Sequence, residues 1–138
     1  MKAETYLQQL VYLECKIKGN AERVRLLKES AENRTSKLSQ DKVQSGGSKD
    51  RIGDNVCSYA VLEKRIEEDE RKKQEILDTI GLLKPYESAV IYKCYVEQKF
   101  LVEIAAEMKK SYSWVTKMHR QGLKRLQAIL DERENTEV

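Results

Sequence analysis

Phe100–Leu126 reads FLVEIAAEMKKSYSWVTKMHRQGLKRL, and the placing of its apolar residues decides the fold. Ile104, Ala105 and Met108 fall at i, i+1 and i+4, which puts them on one face of a short helix. Ala105 is small enough to let a following helix cross closely. Lys109-Lys110 interrupts the period, and Ser111 stands where a hydroxyl can accept from an early backbone N–H and open a new helix. Val115, Met118, Gly122, Leu123 and Leu126 then continue an inward stripe along a second helix. Two helices joined by so short a turn have helix-turn-helix geometry.

With that stripe inward, Tyr112, Ser113, Thr116, Lys117, Arg120, Gln121 and Lys124 are left on the outer side. In such motifs the first turns of the second helix reach base edges, and flanking positions touch phosphate. Tyr112, Ser113, Thr116 and Lys117 are therefore expected in a groove of double-stranded DNA. Lys110, Arg120 and Lys124 suit phosphates, while Ser111 and Gln121 complete the DNA-facing set. Trp114, at the third helical position, either packs under the helix or lies along the sugar-phosphate edge, and packing is the expectation.

Upstream, Pro85 suits the first turn of a helix, where its missing N–H costs nothing. That helix, PYESAVIYKCYVEQ, is expected to bury Ala89, Val90, Tyr92 or Cys94, and Val96, and to end near Glu97-Gln98. Charge is distributed unevenly. Lys84–Leu126 holds nine basic residues against four acidic ones, whereas Gln127–Val138 holds one arginine against Asp131, Glu132, Glu134 and Glu137. A basic face with acid kept elsewhere fits a phosphate partner better than the whole-chain net charge of +3 does.

The N-terminal part reads differently. Leu7, Leu10, Ile17, Ala21 and Val24, with Leu13 and Leu27 in adjacent turns, form a heptad-like stripe along one long helix weakened at Gly19-Asn20. Thr35–Asn55, TSKLSQDKVQSGGSKDRIGDN, is rich in Gly, Ser and Asp and reads as a connector, with Asn55 as the cap of a second long helix. That helix carries a thin seam through Val56, Tyr59, Leu62, Ile66, Leu77 and Ile80, flanked by spaced pairs such as Glu67 with Arg71, Glu68 with Lys72 and Asp69 with Lys73. Gly81 is placed as its C-cap. The expected fold class is all-α. A coiled-coil-like helical hairpin (1–81, connector at about 35–55) precedes a helix-turn-helix domain (82–130) and an acidic tail (131–138). The thin seam leaves homodimerisation through the long helices open.

Several function classes fall away. The chain has 138 residues, 40% hydrophobic and 36% charged, enough for one ordinary domain or for a small domain with a helical extension. Cys15, Cys57 and Cys94 are scattered and His119 is the only histidine, so neither a disulfide framework nor a zinc site is expected. No Gly-rich phosphate loop, G-x-S-x-G or H-E-x-x-H pattern occurs, and His119 has no partner set for catalysis. The expectation is no enzyme, no cofactor and no metal. No apolar run nears the roughly 18–20 residues of a membrane span, and MKAETYLQQL lacks the apolar h-region of a signal peptide, so a cytoplasmic, non-membrane protein is expected.

The run from Leu83 to Leu126 resembles region 4 of bacterial sigma factors, whose pattern is a Pro-led helix, then Glu-Ile-Ala, a turn, a serine, and a second helix with Val, Arg and Leu at set spacings. The matching residues are Pro85, Glu103, Ile104, Ala105, Ser111, Val115, Arg120 and Leu126. Lys109-Lys110 stands where that family has Gly followed by Ile or Val. The whole chain also resembles small regulators encoded by phages and prophages of Gram-positive bacteria, similar to the RinA-like and ArpU-like activators. The segments that carry this likeness are KAETYLQQL, VQSGGSKDRIGDNV, the charged central helix and YSWVTKMHRQGLKRL. The resemblance implies a sequence-specific transcription regulator in a bacterial host cell, activating late genes with host RNA polymerase as a partner. The alternative is a protein-interaction module that binds or mimics a host transcription component.

Overall fold

The computed structural model describes the backbone of residues 1–40 and 46–137 and the side chains of residues 1–32 and 59–136. All regular structure among the described residues is helical: α1 (Ala3–Gln40), α2 (Gly46–Ile80), α3 (Pro85–Tyr95), α4 (Leu101–Met108) and α5 (Tyr112–Glu137). The all-α class expected from sequence is therefore observed. By compactness the chain divides into Met1–Leu13 with Lys72–Val138, and Glu14–Arg71.

The connector expected over residues 35–55 is narrower than its composition suggests. α1 continues to Gln40 and α2 already runs at Gly46, so Asn55 lies inside a helix rather than capping one. Residues 41–45, and the side chains of residues 33–58, lie outside the described residues. α1 passes through Gly19-Asn20 without interruption, and nothing lies within 4 Å of a side chain built at Gly19. Likewise α5 continues to Glu137, so the acidic segment from 131 is the end of a helix and not a separate tail.

In the unit Glu14–Arg71, Val24 and Leu62 are buried, but Ala21 of the expected stripe is exposed. Cross-helix pairs run in opposite order along the two segments. Lys16 Nζ lies 3.5 Å from Asp69 Oδ1, and Lys28 Nζ lies 2.9 Å from Glu63 and 5.4 Å over the Tyr59 ring. Asp69, read from sequence as a surface partner of Lys73, is instead 3% exposed, and its Oδ2 has no hydrogen-bond partner among the described residues.

In the unit Met1–Leu13 with Lys72–Val138, α3 is the hub because two adjacent residues serve two clusters. Ile91 packs with Leu7, Leu10, Ile76, Ile80, Leu126 and Leu130. Val90 packs with Ile104, Ala105 and Val115 of α4 and α5. Both are fully buried, although the sequence reading placed only Val90 inside. α3 and α5 approach closely at Gly122, where a Cβ would meet Ile91 Cγ1 at 2.9 Å.

A buried polar node ties α1, α2 and α5. The Thr79 hydroxyl donates to the Glu75 carbonyl at 2.8 Å and accepts from Arg133 Nη1 at 3.0 Å. Its single proton is thus spent, so the Tyr6 hydroxyl, 3.2 Å away, is the donor in that pair.

Candidate nucleic-acid interface

Local chemistry shapes the unit formed by α3, α4 and α5. Lys84 is extended (ψ 151°), as a residue before proline must be, and Pro85 opens α3. α3 ends through Gln98 in the left-handed region (φ 57°), where the Lys99 N–H donates to the Lys93 carbonyl at 3.1 Å. α4 ends in a Schellman motif: the Lys110 N–H donates to Ala105 O at 3.0 Å and the Lys109 N–H to Ala106 O at 3.4 Å. Lys109 therefore sits at φ 57°, ψ 43°, the left-handed position that glycine fills most easily.

Lys109 keeps the backbone that glycine would favour and carries its strain. Ser111 follows as N-cap, its Oγ accepting from the Trp114 N–H at 3.1 Å, and α5 begins at Tyr112. That cap matches the sequence expectation and commits the Ser111 hydroxyl to the helix start.

Trp114 is half-buried against the Val90–Ile104 cluster and meets Tyr86 edge-on at 5.4 Å. Lys110 Nζ lies 5.3 Å over the indole ring, a cation–π contact that positions this lysine beside the turn. The packing role expected of Trp114 is the one observed.

Beyond the cap, Tyr112, Ser113, Thr116, Lys117 and Arg120 line one open groove of about 270 Å³. Thr116 is half-buried and its hydroxyl donates to the Tyr112 carbonyl at 2.9 Å, which leaves its oxygen as an acceptor and its methyl for apolar contact. Gln121 and Lys124 are exposed but lie off this groove. Lys124 instead joins Arg120, Lys2, Glu4 and Gln127 around a second groove of about 400 Å³.

Ion pairing sorts the basic residues. Lys93 and Lys99 both hold Glu107, which keeps that carboxyl down to about 2, and Lys99 also reaches Glu97 at 3.0 Å. Arg125 Nε lies 2.9 Å from Glu87 Oε2, a carboxylate only 2% exposed. Lys110, Lys117, Arg120 and Lys124 enter no ion pair among the described residues, so their charge is turned outward.

The Glu87–Arg125 pair was missed by sequence reasoning, because the two residues are 38 positions apart. A signal existed: Glu87 is four residues before Ile91, so burying Ile91 turns Glu87 to the same side. Also missed was the Tyr95–His119 contact, in which Tyr95 Oη and His119 Nε2 are 3.0 Å apart with the rings stacked at 5.7 Å. Burial pushes the Tyr95 phenol up to about 12 and the imidazole below its usual range, so His119 is a half-buried packing residue. Among the described residues, no group of three or more His, Cys, Asp or Glu could hold a metal ion, and no helix is long and apolar enough to cross a membrane.

No family model, curated protein or solved structure matches this chain.

Proposed function

We propose that this chain is a sequence-specific DNA-binding transcription regulator. The N-terminal turns of α5 act as the reading element, and the long helices form a hairpin that holds a second copy or host RNA polymerase. The supporting observation is the sorting of charge. Three of the basic residues near the reading helix are consumed by Glu87, Glu97 and Glu107, while Lys117, Arg120 and Lys124, along the exposed side of α5, enter no ion pair among the described residues. Two of those cations, Lys117 and Arg120, border the groove with Tyr112, Ser113 and Thr116. A hydroxyl-rich, cationic helix end of this kind suits base edges flanked by phosphates. With the phage-regulator resemblance, the reading extends to activation of phage late genes.

Gel-shift titration against regulatory DNA from the phage or prophage that carries the gene tests this. Each phosphate contact steepens the fall of log K with log salt by about 0.9, so several contacts give a steep slope. Absent or salt-independent binding would sink the reading.

The competing reading, capture of a host transcription component, draws on Phe100 and Val102, which are 76% and 67% exposed at the start of α4. Lys117→Ala combined with Arg120→Ala separates the two. Both side chains are exposed, so the fold should survive, and a regulator of the first kind loses DNA binding. Unchanged regulatory activity after both substitutions would favour protein capture.

A further inference from the structure

The second groove contains a residue that no reading of the C-terminal motif would include. Lys2, just before α1, lines the same cleft of about 400 Å³ as Arg120 and Lys124 of α5. Its position there is specified rather than incidental. Gln127 accepts from the Ala3 N–H at 2.8 Å and donates from Nε2 to the Met1 carbonyl at 3.0 Å, so one α5 side chain grips the backbone on both sides of Lys2. Ala3 itself is 5% exposed, packed into the core with Leu7. Lys2, Arg120 and Lys124 enter no ion pair among the described residues. Glu4 is the one carboxylate lining the cleft, so three cations face one anion.

Resting on the DNA-binding reading above, we propose that Lys2, Arg120 and Lys124 form a clamp for the phosphodiester backbone at the edge of the groove that α5 reads. The spacing along α5 favours phosphate over bases. Arg120 and Lys124 lie eight and twelve residues beyond Tyr112, or about 12 and 18 Å along the helix axis. A major groove is only about 12 Å wide, so with Tyr112 inside it these positions reach the flanking strand. Arg120 borders both grooves, which makes the reading surface and the clamp continuous. The clamp brings the start of α1 onto the DNA and lengthens the footprint by a contact that carries no sequence information.

The test is a salt titration of DNA binding by full-length wild type, Lys2→Ala, Lys2→Arg and Lys99→Ala. Wild type must first bind with a steep slope, and if it does not, the DNA-binding reading itself has failed. Given that binding, Lys2→Ala should lower the slope by about 0.9, which corresponds to about eightfold weaker binding at 0.1 M salt, equally on cognate and unrelated DNA. Lys2→Arg should restore the wild-type slope. Lys99→Ala removes the same formal charge from a lysine already paired with glutamates, and should leave the slope unchanged. The clamp is overturned if Lys2→Ala keeps the wild-type slope, if Lys99→Ala lowers the slope as much, or if Lys2→Ala changes cognate binding only.

Discussion

Replacing Gly122 by alanine puts one methyl group where α3 and α5 leave no room for it. The new Cβ would lie 2.9 Å from Ile91 Cγ1, 3.2 Å from Ile91 Cδ1 and 3.5 Å from Glu87 Cβ. Carbon pairs prefer about 3.5–4.0 Å, so the nearest contact must open by roughly half an ångström or more. Ile91 cannot swing aside, because Cγ1 is attached to a branched Cβ with a stiff χ1 and the side chain is 0% exposed. The two helices must therefore separate.

Overpacking of this kind costs about 1–3 kcal/mol, while the alanine gains about 1 kcal/mol in helix propensity. The net expectation is a loss of about 1 kcal/mol. In an Ile91→Ala background both close atoms are gone, and the same Gly122→Ala change should become stabilising by up to about 1 kcal/mol, a coupling of about 2 kcal/mol. Urea unfolding followed by the fluorescence of Trp114, the only tryptophan, reads all four proteins. Identical effects in the two backgrounds, or stabilisation by Gly122→Ala alone, would refute the packing argument.

Three further outcomes are expected. Lys109→Gly should stabilise the protein by about 1 kcal/mol by relieving the left-handed residue, and Lys109→Val should destabilise it; the opposite order in the same unfolding assay would contradict the turn geometry. Arg125→Met leaves the Glu87 carboxylate buried without its partner and should cost about 1–3 kcal/mol, the guanidinium's partial exposure keeping the figure modest, with much of the loss recovered when Glu87→Gln is added. Burial holds His119 below its ordinary 6.5, so the unfolded chain takes up the proton first; stability should be level above about pH 6.5 and fall as pH drops below it, and His119→Phe should flatten that dependence in unfolding measured from pH 7.5 to 5.5.

Much of the α4–α5 unit was legible because its determinants are local. Ile104, Ala105, Val115 and Leu126 are buried where their period puts them, and Ser111 caps α5 through a bond spanning three residues. The extent of α1 and α2 was not legible. The Gly- and Ser-rich composition near residue 46 argued for a loop, yet helical backbone persists to Gln40 and resumes at Gly46. Asp69 was misread for a related reason. Spacing along one helix offers Lys73 as a surface partner, but the helix is rotated to turn Asp69 towards Lys16, which is 53 positions away.

The sequence by itself determined the helical class, the inward stripes of α4 and α5, the cap that starts α5 and the set of side chains left on its outer face. These depend on contacts within a few residues, where helix periodicity and backbone capping act without regard to the rest of the chain. Only the tertiary structure decided which cations are spent and which stay available. Lys99, Arg125 and Lys124 look alike as text, yet Glu107 takes the first, buried Glu87 takes the second, and the third is left beside Lys2. That selection requires groups far apart in the chain to meet at hydrogen-bonding distance, and packing around Ile91 and Leu126 brings them there.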